Sequence, residues 1–242
     1  MKNSTKYLLA ALLVLLASLT AYNMALRTEY RAGTYKDPLR GFTALNFKNF
    51  DEIAVPAAST ITVKIVAGPY AVHLSPEAAE YVHLRQQGRQ LLVSANFPSH
   101  HEYLSSRPLL VISCPRLALL RTDAVYQQAG QPQVDKEYAR GHLVQVQGFR
   151  QDSLTVRADH ASRVELAGNK LALLRAEAGL SPGSHTALLV GADNHLAAAS
   201  FRISHQGELV LDNTAIAQLR YQFGDSAKVT LTGAALTSLA HN

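Results

Sequence analysis

A spacing close to twenty residues constrains this chain more than any other feature. Four blocks between residues 164 and 242 share one layout: VEL-AGNK-LALLRAEA from Val164, LVG-ADNH-LAAASFRI from Leu189, LVL-DNTA-IAQLRYQF from Leu209 and VTL-TGAA-LTSLAHN from Val229. Each begins with a short apolar strand and a four-residue step of Gly, Asn, Asp, Ala or Thr. An apolar residue follows, with another three positions on: Leu171 and Leu174, Ile216 and Leu219, Leu236 and Leu239. The anchors Leu166, Gly191, Leu211 and Leu231 stand 25, 20 and 20 residues apart. Strands broken by small turn residues at such a period predict a solenoid whose coils stack apolar side chains into ladders.

The pattern reaches further back. Leu117 to Arg121 read letter for letter as Leu171 to Arg175, which puts Leu117 and Leu120 in the ladders and Ile112 in the Leu166 column. Residues 144–161 fit one more coil. Upstream, residues 60–66 and 71–74 alternate at period two, and 81–84 and 91–94 continue the series between Gly68-Pro69, Ser75-Pro76 and Gln87-Gly88. A helix at 77–81 would be short at most. Polar stretches at 97–108 and 122–142 interrupt the rhythm, as insertions that carry recognition often do.

The N-terminus supplies an address. Residues 7–26, YLLAALLVLLASLTAYNMAL, follow Lys2 and Lys6 and would span roughly 30 Å as a helix. A cleaved signal peptide is the rival reading, but the sites near Ala21 and Ala25 offer Leu19 and Asn23 where cleavage wants small residues. The expectation is a single-pass anchor in the inner membrane, with residues 1–6 cytoplasmic, 27–41 a spacer and 42–242 a periplasmic domain.

Charge argues against nucleic acid. Beyond the leader, 21 basic residues face 18 acidic ones, with no basic run. Cys114, the only cysteine, lies in the apolar run LLVISCPRLALL and reads as a small hydrophobe.

Residues 50–97 resemble the head GIN domain family of auto-transporter adhesin head domains. The resemblance rests on Phe50, Ile53, Val55, Gly68, Val72, Leu74, Gly88, Leu91 and Val93, followed by Leu-rich coils. The chain departs from that family's repeated Ser-Gly steps, having AGNK or DNTA instead. The resemblance covers about residues 42–242 and implies an all-β domain, a single-stranded right-handed parallel β-helix in a Gram-negative envelope. It brings no catalytic residues.

Chemistry is sparse. His100-His101-Glu102 can begin a metal site but has no further ligands at a diagnostic spacing. Gly183-Ser184-His185 lacks the nucleophile turn of a serine hydrolase. Asp159, Asp193, Asp212 and Asp225, the carboxylates considered for glycoside hydrolysis, fall in different columns or turns. Counting six residues back from the four anchors gives His160, His185, His205 and Asp225, a candidate column of ligands for zinc, copper or nickel. No cofactor is expected. The reading is therefore a membrane-anchored, non-catalytic binding, adhesion or scaffolding domain for an envelope glycan or protein. The alternatives are a carbohydrate-active enzyme on a β-helix and an accessory subunit of a membrane assembly.

Overall fold

The computed structural model describes residues 3–33, 37–98, 104–136 and 141–240, and the chain divides into two units, 1–42 and 43–242. His100, His101 and Glu102 lie outside the described residues.

The first unit is dominated by helix α1 (Asn3–Ala32), long and apolar enough to cross a membrane by length and composition. It runs past the expected boundary at Leu26, so the start of the predicted spacer is helical. Two hydroxyls inside it are satisfied by the helix itself. Ser18 and Thr20 return their hydroxyls to the carbonyls of Leu15 and Leu16, at 2.9 and 2.8 Å, which removes the cost of carrying them into an apolar medium.

The second unit is built of two sheets. The nine-stranded sheet runs, in spatial order, β1 (Thr43–Leu45), β4 (Ala71–Leu74), β7 (Leu110–Cys114), β3 (Val63–Ala67), β11 (Val144–Gln147), β13 (Arg163–Ala167), β15 (Ala187–Val190), β17 (Glu208–Asp212) and β19 (Lys228–Thr232). The ten-stranded sheet runs β10 (Gln131–Val134), β9 (Val125–Gln128), β6 (Gln90–Phe97), β2 (Glu52–Val55), β8 (Leu119–Thr122), β12 (Arg150–Ala158), β14 (Lys170–Ala178), β16 (His195–Ile203) and β18 (Ile216–Phe223), with β5 (Val82–Gln87) paired to β6.

The expected single-stranded parallel β-helix is not what forms. Both sheets are mixed, with antiparallel pairs β1–β4, β4–β7, β5–β6 and β9–β10. For β5–β6 and β9–β10, tight turns are the reason. Gly88 (φ 60°) opens the two-residue turn between β5 and β6, and Ala129 and Gly130 (φ 50° and 75°) form the turn between β9 and β10. Two-residue turns with positive φ return a strand beside its predecessor, where a parallel pair needs a longer crossover. The second polar stretch thus contains a hairpin.

From β11 onward successive strands alternate between the sheets, and each pairs in parallel with the next strand of its own sheet. Here the twenty-residue spacing appears as strand register. Val72, Ile112, Ile65, Val146, Leu166, Val190, Leu211 and Leu231 form one column across the nine-stranded sheet. Ile112 does share a column with Leu166. The partner of Leu166 is Val190, however, so the sequence anchor Gly191 is one residue out of place.

Within the ten-stranded sheet Leu174 pairs with Leu154 and Ala199, and Ala199 with Leu219. Leu120 belongs to another column, with Val156, Ala176 and Phe201, so the identical letters at 117–121 and 171–175 do not superpose. Leu117, Leu120, Leu171, Leu174, Ile216 and Leu219 are all buried in one core shared by the two sheets. Leu236 is not. Residues Ala234–Ala240 form a helix, α2, and Leu236 is exposed; the side chain of Leu239 lies outside what the structure describes. AALTSLA has alanine and leucine at helix-favouring positions.

Candidate functional site

Leu171 and Leu174 are three apart, yet both point inward. In a regular strand they would face opposite sides. The strand spends one residue on a bend: Asp152, Ala172, Ala197 and Ala217 stand at matching positions in β12, β14, β16 and β18, each exposed and each missing from the pairing ladder. Because the departure recurs in the same place, register is kept on both sides and the sheet folds along a line crossing the strands. Outside that line lies an open groove of about 860 Å³. Ala172 and Ala197 lie along it, and Ala192 and Ala215 from the adjoining turns help to line it. Arg150, Lys170 and His195, paired on three adjacent strands, form its rim, with two cations and an imidazole.

Beyond the bend the outward positions hold arginines. One column reads Arg121, Arg157, Glu177, Arg202 and the next Thr155, Arg175, Ser200, Arg220. Glu177 sits between two guanidinium groups, its Oε2 3.0 Å from Arg157 Nε and its Oε1 3.4 Å from Arg202 Nη1. Arg121, Arg175 and Arg220 have no carboxylate partner among the described residues. Arg175, flanked by the Thr155 and Ser200 residues of neighbouring strands, helps to line a shallow depression of about 130 Å³. A cation beside hydroxyl-bearing residues is an arrangement for anions, and guanidinium groups suit carboxylate, sulfate or phosphate.

Strands β8, β12, β14, β16 and β18 together carry seven basic side chains, Arg121, Arg150, Arg157, Lys170, Arg175, Arg202 and Arg220, against Asp152 and Glu177. All seven are exposed. The modest net charge of +5 conceals this, because only register and the bend tell which charges share a face. A period-two reading of each strand separately would have shown outward arginines but not their alignment.

The turns that frame the groove are held by a buried amide ladder. Asn169 Oδ1 accepts from the Phe149 amide at 3.0 Å, and its Nδ2 donates to the Val146 carbonyl and to Asn194 Oδ1 at 3.0 and 2.9 Å. Asn194 Nδ2 in turn donates to the carbonyls of Leu166 and Gly191 at 2.7 and 2.8 Å. Thr214 continues the ladder with its hydroxyl 3.0 Å from the Gly191 carbonyl. The Asn residues visible in the sequence steps are therefore supports for the groove wall.

The histidine column is only partly assembled. His160, His205 and Asp225 occupy equivalent places in the four-residue turns 159–162, 204–207 and 224–227. His185 is displaced, because the corresponding turn runs from 179 to 186 and has four more residues. The His160 imidazole lies toward the preceding strand, with Nδ1 2.6 Å from Asp123 Oδ1, and its backbone carbonyl accepts from Ser184 and Thr186. His160 and His205 both have positive φ, 48° and 49°, a conformation these turns impose. Among the described residues no group of three or more His, Cys, Asp or Glu could hold a metal ion. The four carboxylates considered for hydrolysis are likewise divided. Asp159 and Asp225 lie in turns leading to the nine-stranded sheet, and Asp193 and Asp212 lie where chains leave it.

Two carboxylates brace the scaffold. The Arg89 guanidinium, with Nε 2.8 Å from Asp51 Oδ1, holds the Asp51 carboxyl below the usual aspartate range against the opposing effect of burial. Burial pushes the Asp159 carboxyl up, but the Ser181 hydroxyl and the amides of Ser181 and His160 outweigh it and leave the carboxyl below its ordinary value. Cys114 is fully buried, which pushes its thiol up to about 12 and leaves no thiolate for catalysis.

No protein-family model and no curated protein matches this chain. Among solved structures it is similar to a "putative adhesin" from Parabacteroides distasonis ATCC 8503, at 11% identity over 79% of this chain and 73% of that one, with a TM-score of 0.55. It also matches a "putative adhesin" from Bacteroides fragilis NCTC 9343, at 11% identity over 79% and 96% with a TM-score of 0.37. A "putative lipid binding protein" from P. distasonis matches at 10% identity over 80% and 94%, with a TM-score of 0.34. At such identities the likeness is one of fold, and it rests on the first of the three.

Proposed function

We propose that this chain is a non-catalytic binding domain of the cell envelope, anchored by residues 7–26 in the inner membrane with its two-sheet domain in the periplasm. The recognition surface is the outer face of the ten-stranded sheet, and the partner is anionic. The observation that carries this reading is the sorting of seven basic side chains, against two acidic ones, onto one face of a chain whose formal net charge is only +5. Likeness to the head GIN domain family and the shared fold of a "putative adhesin" agree with an adhesive role. The apolar helix α1 agrees with a membrane address, since a segment of its length and composition is stable across a bilayer.

Binding of the full chain, kept in neutral detergent, to dextran sulfate and to uncharged dextran tests the reading. Capture of dextran sulfate that weakens as salt rises, with no dextran bound, is the expected result. Equal or absent binding of both polymers would overturn it. Protease added to spheroplasts tests the topology separately: residues 43–242 should be digested, and protection of them would reverse the orientation.

A further inference from the structure

We infer that the bend groove of the ten-stranded sheet is a binding site for an acidic polysaccharide lying across β12, β14 and β16. This rests on the reading of that face as the recognition surface and names its ligand. The rim presents Arg150 and Lys170 in register on neighbouring strands, two cations at the strand spacing of about 4.8 Å, with the His195 imidazole next in the row as a hydrogen-bonding group. An extended glycan advances by a comparable step per sugar, and an acidic one offers a carboxylate, sulfate or phosphate at regular intervals. Two adjacent cations at the strand spacing match two successive acid groups of such a chain. Arginine adds a planar fork for bidentate contact with an acid group, and lysine a point charge.

The shape of the groove separates this ligand from other polyanions. Ala172 and Ala197 line it with methyl groups, leaving room for sugar rings whose C–H faces can rest on them. None of the side chains lining it is Phe, Tyr or Trp. Single-stranded nucleic acid is normally held on such aromatic platforms. A membrane surface calls for protruding apolar anchors, while these alanines lie in a recess. A peptide added as a strand would need an open sheet edge, but the groove crosses strands that already have partners on both sides. Asp152, at the β12 end of the bend, places one carboxylate in the lining, so Lys170 on β14 is the rim cation farther from it in the row.

The test uses the full chain in neutral detergent near 0.15 M salt, with oligogalacturonate as the acidic probe and a cello-oligosaccharide as the neutral one. Ala197→Phe fills the groove without changing charge, Lys170→Glu reverses the rim, and Arg175→Glu with Arg220→Glu alters the face beyond the bend. Thermal melting confirms that each variant folds. The inference expects oligogalacturonate to bind at least about tenfold more tightly than the neutral sugar. It expects Ala197→Phe and Lys170→Glu each to weaken that binding about tenfold or more. Loss of binding only in the Arg175, Arg220 variant, with Ala197→Phe unchanged, would overturn the groove site while leaving the anionic reading of the face intact. Failure of the wild-type chain to bind either oligogalacturonate or dextran sulfate would overturn both. Tighter binding of phosphatidylglycerol vesicles or single-stranded DNA than of oligogalacturonate would overturn the assignment to glycan.

Discussion

The two sheets bury the same kind of residue and show opposite outer faces. Inward, each stacks Leu, Ile, Val and Ala in columns that meet in one core. Outward, the strands β11, β13, β15, β17 and β19 carry Arg163 and Lys228 against Glu165, Glu208 and Asp212. Lys228 Nζ lies 3.2 Å from Glu208 Oε1 and Gln145 donates to Glu165 at 3.3 Å, while the buried Arg163 Nε has no hydrogen-bond partner among the described residues. The corresponding five strands of the ten-stranded sheet hold seven basic residues and two acidic ones. Solubility and burial require only that outward positions be polar. They do not require one face to be cationic, and surface pairs add little stability. The proposed recognition of an anionic partner would account for the excess on one side.

The largest effect should be common to both sheets. Leu219→Asp in β18 and Leu211→Asp in β17 each place an unpaired charge in the shared core and should cost on the order of 4 kcal/mol or more, read by chemical denaturation. Tolerance at one site and not the other would show that the sheets do not share burial equally. A smaller loss, about 2 kcal/mol, is expected for Asn169→Ala, which leaves the Phe149 amide and Val146 carbonyl without their side-chain partner. Its effect should be larger than that of Asn213→Ala, which is exposed; equal effects would mean that the buried ladder contributes nothing special.

Acid should sharpen the contrast between scaffold and face. The folded carboxyls of Asp51 and Asp159 lie below their ordinary values, so the stability they give is complete above that range. It is lost as pH falls through it, below about pH 4. Melting temperature against pH should drop there, less steeply in Asp51→Asn, and an unchanged profile in that variant would dismiss the Arg89 pair as a contributor. The smallest effect on stability belongs to the basic face itself: Arg175→Glu should change it by no more than about 0.5 kcal/mol.

What the sequence made legible was the part governed by local period. The twenty-residue spacing, the inward Leu174 and Leu219 and the column joining Ile112 to Leu166 all follow from alternation and turn residues near one another in the chain. The antiparallel pairs were missed because a four-residue strand such as AVHL looks the same whichever way its partner runs. The Leu117 to Arg121 repeat misled because identical letters do not set register, and β8 enters its sheet two positions out of step with β14. In the His160, His185, His205 and Asp225 column the count misplaced His185 alone, since its turn has four residues more than its neighbours. The basic face was hidden for the same reason, as its members are scattered from Arg121 to Arg220 and meet only through register and a bend that alternation does not foretell.

The most direct measurement compares charge reversal on the two faces. Dextran sulfate affinity is measured for the wild-type chain, for Arg175→Glu with Arg220→Glu on the ten-stranded sheet, and for Lys64→Glu with Lys228→Glu on the nine-stranded sheet. The net charge change is the same in both variants. The account predicts a loss of about tenfold or more for the first pair and a change within about twofold for the second. Equal losses would mean that only total charge matters, and would contradict the claim that one face is the recognition surface.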